Sequence, residues 1–454
     1  MTSAAPTNRY WNEALETLPW SEVELWQAAQ IDKMLGALRD RSKLYSRLHA
    51  DVPCDVKISE LSDLSALPFT MKDHVRSAQE QASDDWPLGD NQAVPSESLV
   101  QVLCSSGTTG APLYYGLTAH DLEMFTDVIA HTWYTAGLRP GDVIAHLVGL
   151  PMVAGGLPYA DGFRRIGATL CWLGGFPTER ILREMRRLRA TALLATTSFG
   201  LYLSEHWDAV GQELGIPSKL SKAFFGGEPG LNEPAVRARI CEGLKISHVR
   251  DGMGLGDVIS AMWSECEAQS GMHFNAQKHV AIELIDPISG AQLPWEEGRT
   301  GEIVYTAFTR EATPLVRYRS RDHARVMGAQ PCSCGRTSPR ITCIGRTDDM
   351  LIYKGMNVFP TAVRDLILRG FAGQIEPMIR IWKDHKEQVR FDEPLAVDVE
   401  AMSHFDWHQA TPLAADIEHA VRTQLQIRIS VTVLRPGQLP RGVYKNAILA
   451  IRGS

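Results

Sequence analysis

Ser105-Ser106-Gly107-Thr108-Thr109-Gly110-Ala111-Pro112 is the stretch on which the reading of this chain turns. The apolar run Leu99-Val100-Gln101-Val102-Leu103-Cys104 precedes it and predicts a buried strand. Thr118-Ala119-His120-Asp121-Leu122 follows and predicts a helix start. A loop of glycines and small hydroxyl residues between a strand and a helix suits phosphate. Its backbone N–H groups can converge with no Cβ in the way at the glycines, and the hydroxyls add donors. No Lys-Ser/Thr pair follows Gly110, so this is not the common P-loop of nucleotide hydrolases.

The chain has 454 residues, enough for roughly three domain-sized units. Hydrophobic residues make up 44% and charged residues 22%, the balance of a soluble globular protein. A net charge of −7 gives no electrostatic reason to expect nucleic acid or an anionic membrane as partner. The N-terminus has no basic region followed by an apolar one, so no secretory signal is visible. The stretch Val143 to Pro158 is interrupted by His146, glycines and prolines and makes a poor membrane span. Eight cysteines in a chain of this size do not read as a disulfide framework, and a cytoplasmic location is expected.

Residues 21–48 carry an apolar stripe at helical spacing, with Ile31, Leu35, Leu38, Tyr45 and Leu48. From Leu99 to Gly254, apolar strands such as Val143–Val148, Ala168–Leu173 and Ala192–Thr196 alternate with helical stretches, including a basic amphipathic one from Thr178 to Leu188. This alternation predicts an α/β fold with a mostly parallel sheet. From Val280 to Val326 short strands separated by turns predict an antiparallel or β-barrel-like unit. Beyond Arg346, a strand at Met350–Tyr353, a turn and a helix from Pro360 predict a small α+β domain.

Four further islands carry chemistry. Phe224-Phe225-Gly226-Gly227-Glu228-Pro229-Gly230 is a strand running into a glycine turn, where ligands of α/β sheets sit. Asp251-Gly252-Met253-Gly254-Leu255-Gly256-Asp257 permits close backbone approach and supplies an acid that can hold Mg²⁺. The others are Pro314-Leu315-Val316-Arg317-Tyr318-Arg319-Ser320-Arg321-Asp322 and Gly345-Arg346-Thr347-Asp348-Asp349-Met350, the latter continued by Lys354-Gly355-Met356-Asn357-Val358-Phe359-Pro360. In isolation a tight turn or a solvated loop explains each glycine run equally well.

Taken in order, the series resembles the AMP-forming adenylating enzymes (acyl-CoA synthetases, luciferases, peptide-synthetase adenylation domains) and, more narrowly, the phenylacetate–CoA ligase family. The resemblance starts near Leu67-Pro68-Phe69-Thr70-Met71-Lys72 and runs to Lys445. It implies a large N-terminal domain over residues 1–347 and a small mobile C-terminal one over 348–454. It implies ATP, Mg²⁺ and coenzyme A as co-substrates and cofactors, a small carboxylic acid as partner, and it admits a homodimer. By the same resemblance Ser105, Ser106, Gly107, Thr108, Thr109 and Gly110 wrap the β- and γ-phosphates. Gly226, Gly227 and Glu228 line the adenine side; Asp257 takes the acid position near Mg²⁺; Asp322 accepts from the ribose hydroxyls; Arg346 lies near ribose or phosphate. Asp348 is the implied hinge and Lys445 the mobile lysine of the last motif, with Lys354 and Gly355 approaching in the thioester step. Tyr159 and Phe163 lie where relatives hold an aryl ring, with Phe225 and Leu255 nearby. Ordinary core aromatics are the other reading of these four.

The chemistry needs such residues. A carboxylate attacks the α-phosphate of ATP and pyrophosphate leaves, so two anions meet and cations must stand where charge builds up. Lysine, a point charge on a flexible stem, suits Lys445 to that task. A thiol, commonly that of coenzyme A, then attacks the acyl-adenylate.

Cys332-x-Cys334 is a tight thiolate pair, and Cys266 and His273 stand upstream. Three cysteines and a histidine make a closed tetrahedral set for structural Zn²⁺; free buried cysteines are the alternative. Two departures from the family pattern stand out. Ala111 replaces a lysine common in relatives, and Met253-Gly254-Leu255-Gly256-Asp257 lacks a hydroxyl and has a carboxylate one methylene shorter. Three readings therefore stay open: a ligase passing a small aromatic acid to coenzyme A; an adenylating enzyme with a different acceptor, an amine, a carrier-protein thiol or a small oxyanion; and a non-catalytic sensor.

Overall fold

The computed structural model describes residues 8–105, 112–148, 152–228, 230–346, 349–354, 356–385, 388–439 and 447–452. The residues around the phosphate-type loop form a hairpin, β1 (Gln101–Cys104) and β2 (Tyr114–Leu117), paired antiparallel from Gln101↔Leu117 to Cys104↔Tyr114. The loop therefore joins two strands, not a strand to a helix as its flanks suggest. The reason is local. Ser105 N donates to Leu113 O at 2.8 Å and Leu113 N to Ser105 Oγ at 3.1 Å, which closes the base of the loop. The predicted helix start at Thr118 follows β2. Thr118 and Asp121 form a reciprocal capping box, and the helix Ala119–Ala136 ends on Gly137 at φ 110°.

The next strands are β3 (Val143–His146), β4 (Thr169–Trp172), β5 (Ala192–Ala195), β6 (Lys222–Gly226) and β7 (His248–Leu255). They pair in parallel in the order β4-β3-β5-β6-β7 and bury apolar side chains on both faces, as the α/β reading expects. The basic helix forms as Thr178–Arg187.

The antiparallel strands are β8 (Ile259–Glu265), β9 (Met272–Phe274), β10 (Val280–Ile285), β11 (Gln292–Leu293), β12 (Thr300–Ala307), β13 (Leu315–Gly328) and β14 (Arg340–Arg346). They do not stand apart. β7 pairs with β8 across the short Gly256-Asp257-Val258 connection, and the series continues β8-β9-β14-β13-β12-β10-β11 in one twelve-stranded mixed sheet. β7 is the last parallel strand and the first antiparallel one. The connection after it is thus held between two paired strands.

Beyond Arg346, two small sheets hold Leu351–Tyr353 with Met356–Val358 and Arg390–Phe391, and Ile375–Lys383 with Leu395–Ala401, Ile429–Leu434 and Leu449–Ile451. The helix from Pro360 runs to Phe371, as the sequence predicts. This unit rests on the large one through Arg369–Glu233 at 2.9 Å, Arg239–Glu376 at 3.4 Å and His323 packed on Phe359 with ring centroids 4.8 Å apart.

The N-terminal stripe forms the helices Trp20–Arg41 and Lys43–Leu48, with Ile31, Leu38 and Tyr45 buried. Thr70 lies as a short parallel bridge beside Tyr318: Thr70 N donates to Arg317 O and Arg319 N to Thr70 O, both at 3.0 Å. That stitch carries Lys72, first residue of the helix Lys72–Gln79, to the end of the sheet.

Candidate active site

Three strand ends build the site. β6 ends in Gly226, where an added Cβ would come within 2.6 Å of Gly252 O, so only glycine lets β6 and β7 stay paired there. Gly227 follows at φ 84°, and Glu228 Oε1 accepts from Ser198 N at 2.5 Å, which fixes the turn against the helix Thr197–Leu214.

Asp257, in the connection from β7 to β8, is buried and surrounded by donors. Tyr318 OH donates to its Oδ2 at 2.7 Å and Lys72 Nζ lies 3.5 Å from the same atom. Arg310 Nη1 holds the backbone from below, donating to Asp257 O at 2.7 Å and Val258 O at 3.3 Å. Tyr115, on the strand after the phosphate-type loop, completes this cluster. Burial first, and the Asp257 carboxylate second, push the Tyr115 and Tyr318 phenols well above their ordinary pKa, so both remain donors.

Asp322 on β13 and Arg346 on β14 are direct cross-strand partners, with Nη1 3.1 Å from Oδ1. A register shift next to this pair and Arg321 at φ 65° turn β13 sharply there. Asp251, opposite Phe225 in the β6–β7 ladder, is half-buried; burial, then Glu265 close by, raise its pKa to about 8. Such a carboxyl keeps a proton near neutral pH and can donate as well as accept.

The candidate acyl residues separate. Tyr159 and Phe163, on the helix Leu157–Ile166, share one buried cluster with Trp133 and Phe224, and Leu255 packs against it. Phe225 points to the other face of the sheet, beneath Gly200, whose added Cβ would lie 2.1 Å from the Phe225 ring. Successive residues of a strand face opposite sides, so Phe224 stands with Tyr159 where Phe225 was expected.

Of the remaining expected residues, Ser105 is buried at the base of its loop and Lys354 is exposed at φ 47°. Ser106, Gly107, Thr108, Thr109, Gly110, Asp348, Gly355 and Lys445 lie outside the described residues. The motifs left Lys72, Tyr115, Arg310 and Asp251 without a role. Lys72 and Tyr115 reach Asp257 only through the Thr70 stitch and the hairpin, which no local pattern announces.

Cys266, His273, Cys332 and Cys334 come together although 68 residues separate the first from the last, all buried and with ligand atoms within 4.8 Å of one another. Cys266 Sγ and Cys332 Sγ are 3.9 Å apart, close to the ~3.8 Å edge of a tetrahedron with 2.3 Å zinc–sulfur bonds. His273 Nε2 faces Cys334 Sγ at 3.5 Å, and Nδ1 lies 3.3 Å from Ser338 Oγ, which orients the ring with Nε2 toward the cysteines. The donor set fits Zn²⁺. Arg336 packs on the knuckle, 2.6 Å from Glu16 and 3.6 Å from Cys334 Sγ, and so ties it to the N-terminal segment.

The chain is 31% identical over 452 residues to a phenylacetate–coenzyme A ligase of Thermus thermophilus, with 94% of this chain and 96% of that protein covered. It belongs to the phenylacetate–CoA ligase family of AMP-forming adenylating enzymes. Residues 355–449 match the AMP-binding enzyme C-terminal domain. The fold is that of a 2-hydroxyisobutyryl-CoA ligase in the postadenylation state in complex with 2-HIB-AMP: TM-score 0.86 at 23% identity, covering 99% of this chain and 93% of that one. The same ligase in complex with 2-HIB-AMP and CoA in the thioesterification state gives a TM-score of 0.69 at 24% identity, over 99% and 94% of the two chains. Among the described residues no helix is long and apolar enough to cross a membrane.

Proposed function

We propose that the protein activates a small carboxylic acid with ATP and passes the acyl group to coenzyme A. Family membership over the full chain supports this two-step ligation. The single observation that carries it at the site is the Asp322–Arg346 pair standing on neighbouring strands, with Asp322 on the same strand as Tyr318, the donor to Asp257. In the first step a carboxylate oxygen bonds to the α-phosphorus, the bond to the bridging oxygen breaks, and pyrophosphate leaves. In the second the thiol sulfur bonds to the acyl carbon, AMP leaves with the bonding pair of the C–O bond, and the thiol proton is lost.

Each residue takes a part suited to its chemistry. Asp322 accepts from the ribose hydroxyls while Arg346 holds it in place. Asp251, carrying its proton, serves the amino and ring-nitrogen edge of the base. Lys445 bridges the acid and the α-phosphate. Asp257 would hold Mg²⁺, which when bound neutralises the departing phosphates; Tyr318 orients the carboxylate and Arg310 fixes its backbone. With alanine at position 111, Lys72, 3.5 Å from Asp257, supplies a phosphate-facing charge in its stead. Cys266, His273, Cys332 and Cys334 would hold structural Zn²⁺.

The small C-terminal unit, from Asp348 onward, rotates about that hinge between the steps. The higher TM-score against the postadenylation state than against the thioesterification state supports an arrangement belonging to the first. An aromatic acid is the proposed substrate class, on the family resemblance and the cluster of rings around Tyr159 and Phe163. The setting is the cytoplasm, where the eight cysteines stay reduced. Pyrophosphate release from ATP with a panel of aryl acids, with and without coenzyme A, tests the assignment. Acid-dependent release followed by CoA-dependent thioester is expected. Release that yields product only with an amine or oxyanion replaces the acceptor, and tight ATP binding without release under any condition overturns the enzyme reading.

A further inference from the structure

We propose that His146 is a specificity-determining residue of the acyl slot, selecting carboxylic acids that carry a hydrogen-bonding substituent (hydroxyl, amino or ring nitrogen) over their unsubstituted analogues. The inference rests on the reading above, in which the acid is seated against the helix Leu157–Ile166.

His146 is the last residue of β3, at the carboxyl end of a parallel strand, where α/β sheets receive ligands. It is fully buried, and among the described residues neither ring nitrogen makes a well-directed hydrogen bond, although the Gly155 and Gly156 backbone lies close to it. Three rings enclose it, with centroids 5.8 Å away at Tyr159, 5.5 Å at Phe163 and 5.4 Å at Trp172. Burial lowers its pKa to about 4, against a smaller opposite effect of the nearby Gly156 and Gly155 backbone, so the ring is neutral at physiological pH. A neutral imidazole offers one donor and one acceptor.

Trp133 repeats the pattern on the other side of Tyr159. Its ring centroid is 5.7 Å from that of Tyr159, it is buried, and its indole Nε1 has no partner among the described residues. Its ring edge lies against β7, where a Cβ added at Gly252 would come within 2.8 Å of Cη2. Tyr159 itself is satisfied, donating to Ser260 O at 2.7 Å. Of three polar rings packed together, the central one is paired and the two flanking it are not.

Buried polar side chains are rarely left without a partner, and an apolar ring at position 146 would avoid the desolvation cost altogether. The cost is recovered when a ligand brings the missing donor or acceptor. An analogue lacking that group leaves the imidazole unpaired and is rejected, the asymmetry by which sites built to hydrogen-bond a substituent discriminate strongly.

Matched acid pairs test this by pyrophosphate release: phenylacetate and 4-hydroxyphenylacetate, benzoate and 4-aminobenzoate, isobutyrate and 2-hydroxyisobutyrate. In the unmodified protein the substituted member of at least one pair gives a kcat/KM at least about tenfold higher. In H146F that ratio falls at least about tenfold. H146N keeps a donor and an acceptor, retains more of the ratio, and carries the test should H146F fold poorly. Ligand-free H146F melts no lower than the unmodified protein, because an unpaired polar ring has been replaced by an apolar one. A ratio near one in every pair, or a ratio unchanged in H146F, overturns the inference; a lower melting point with an unchanged ratio marks His146 as structural and overturns it too. Release with an unaltered ratio leaves the acid-activating reading standing, whereas release from no acid overturns both.

Discussion

The proposed nucleotide face and the proposed acyl slot are built on ends of the same sheet, yet they satisfy their polar groups in opposite ways. At the nucleotide face charge meets charge or donor: Arg346 with Asp322 at 3.1 Å, Tyr318 with Asp257 at 2.7 Å and Lys72 with Asp257 at 3.5 Å. Around Tyr159, Trp133 and His146 keep buried nitrogens without well-directed partners among the described residues. The first arrangement holds its groups rigid before a ligand arrives, which suits a co-substrate common to a whole family. The second leaves groups that only the right ligand completes, which suits selection among acids. The Cys/His cluster is a third case, four buried ligand atoms within 4.8 Å of one another whose chemistry fits a cation.

Breaking the nucleotide face should cost most. K445A is expected to lower adenylation by about 10²–10³-fold while largely sparing thioester formation from a supplied adenylate. Single-turnover assays of the two half-reactions check this, and equal loss in both would remove Lys445 from its assigned step. D257N keeps an oxygen to accept from Tyr318, so the fold should hold, but the charge is gone. About 10²-fold lower pyrophosphate release, with a raised Mg²⁺ requirement in titrations, is the expected outcome. An unchanged Mg²⁺ titration would separate Asp257 from the metal.

The knuckle should respond in stability, not in chemistry. C332S is expected to lose bound zinc by metal analysis and about 5 °C or more of melting temperature. Protein with no zinc before the substitution would end the assignment. E16Q leaves Arg336 buried without its carboxylate, at a cost of about 3–5 kcal/mol in denaturant unfolding. Burial raises the Glu16 pKa, but His131 and Arg336 outweigh it and the result is lowered. Its contribution is therefore full above the ordinary carboxylate range and lost as pH falls through the lowered value, so E16Q should flatten the acid limb of stability.

Asp251 gives an effect of opposite sign. Its pKa is raised on folding to about 8, so the folded chain holds a proton that the unfolded chain releases. Stability from this group is full below the ordinary aspartate range and declines as pH rises to about 8. D251N should remove that slope in unfolding curves between pH ~4 and ~8; a slope that persists would assign it to another group.

Much of the fold was legible because its signals are local. Alternating strands and helices announced the parallel half, Thr118 and Asp121 announced a helix, and Pro360 announced another. The antiparallel strands were legible too, but not their fusion to β7, since pairing partners are not written in any one segment. That Phe225 faces away from Tyr159 and Phe163 was not legible, because a one-residue change along a strand reverses direction and the apolar run Phe224-Phe225 carries no alternation to say which ring faces which side.

By itself the amino-acid order determined the class of chemistry. Glycine turns, the Asp322 and Arg346 motifs and the cysteine spacing each need particular residues at particular places, and those needs survive in short stretches. Only the tertiary structure decided which side chains meet: that Lys72 and Tyr318 share Asp257, that Arg336 joins the knuckle to Glu16, and that His146 and Trp133 flank Tyr159. The physical reason is that burial and hydrogen-bond satisfaction belong to contacts between distant segments, and those contacts exist only once the sheet has brought its strand ends together.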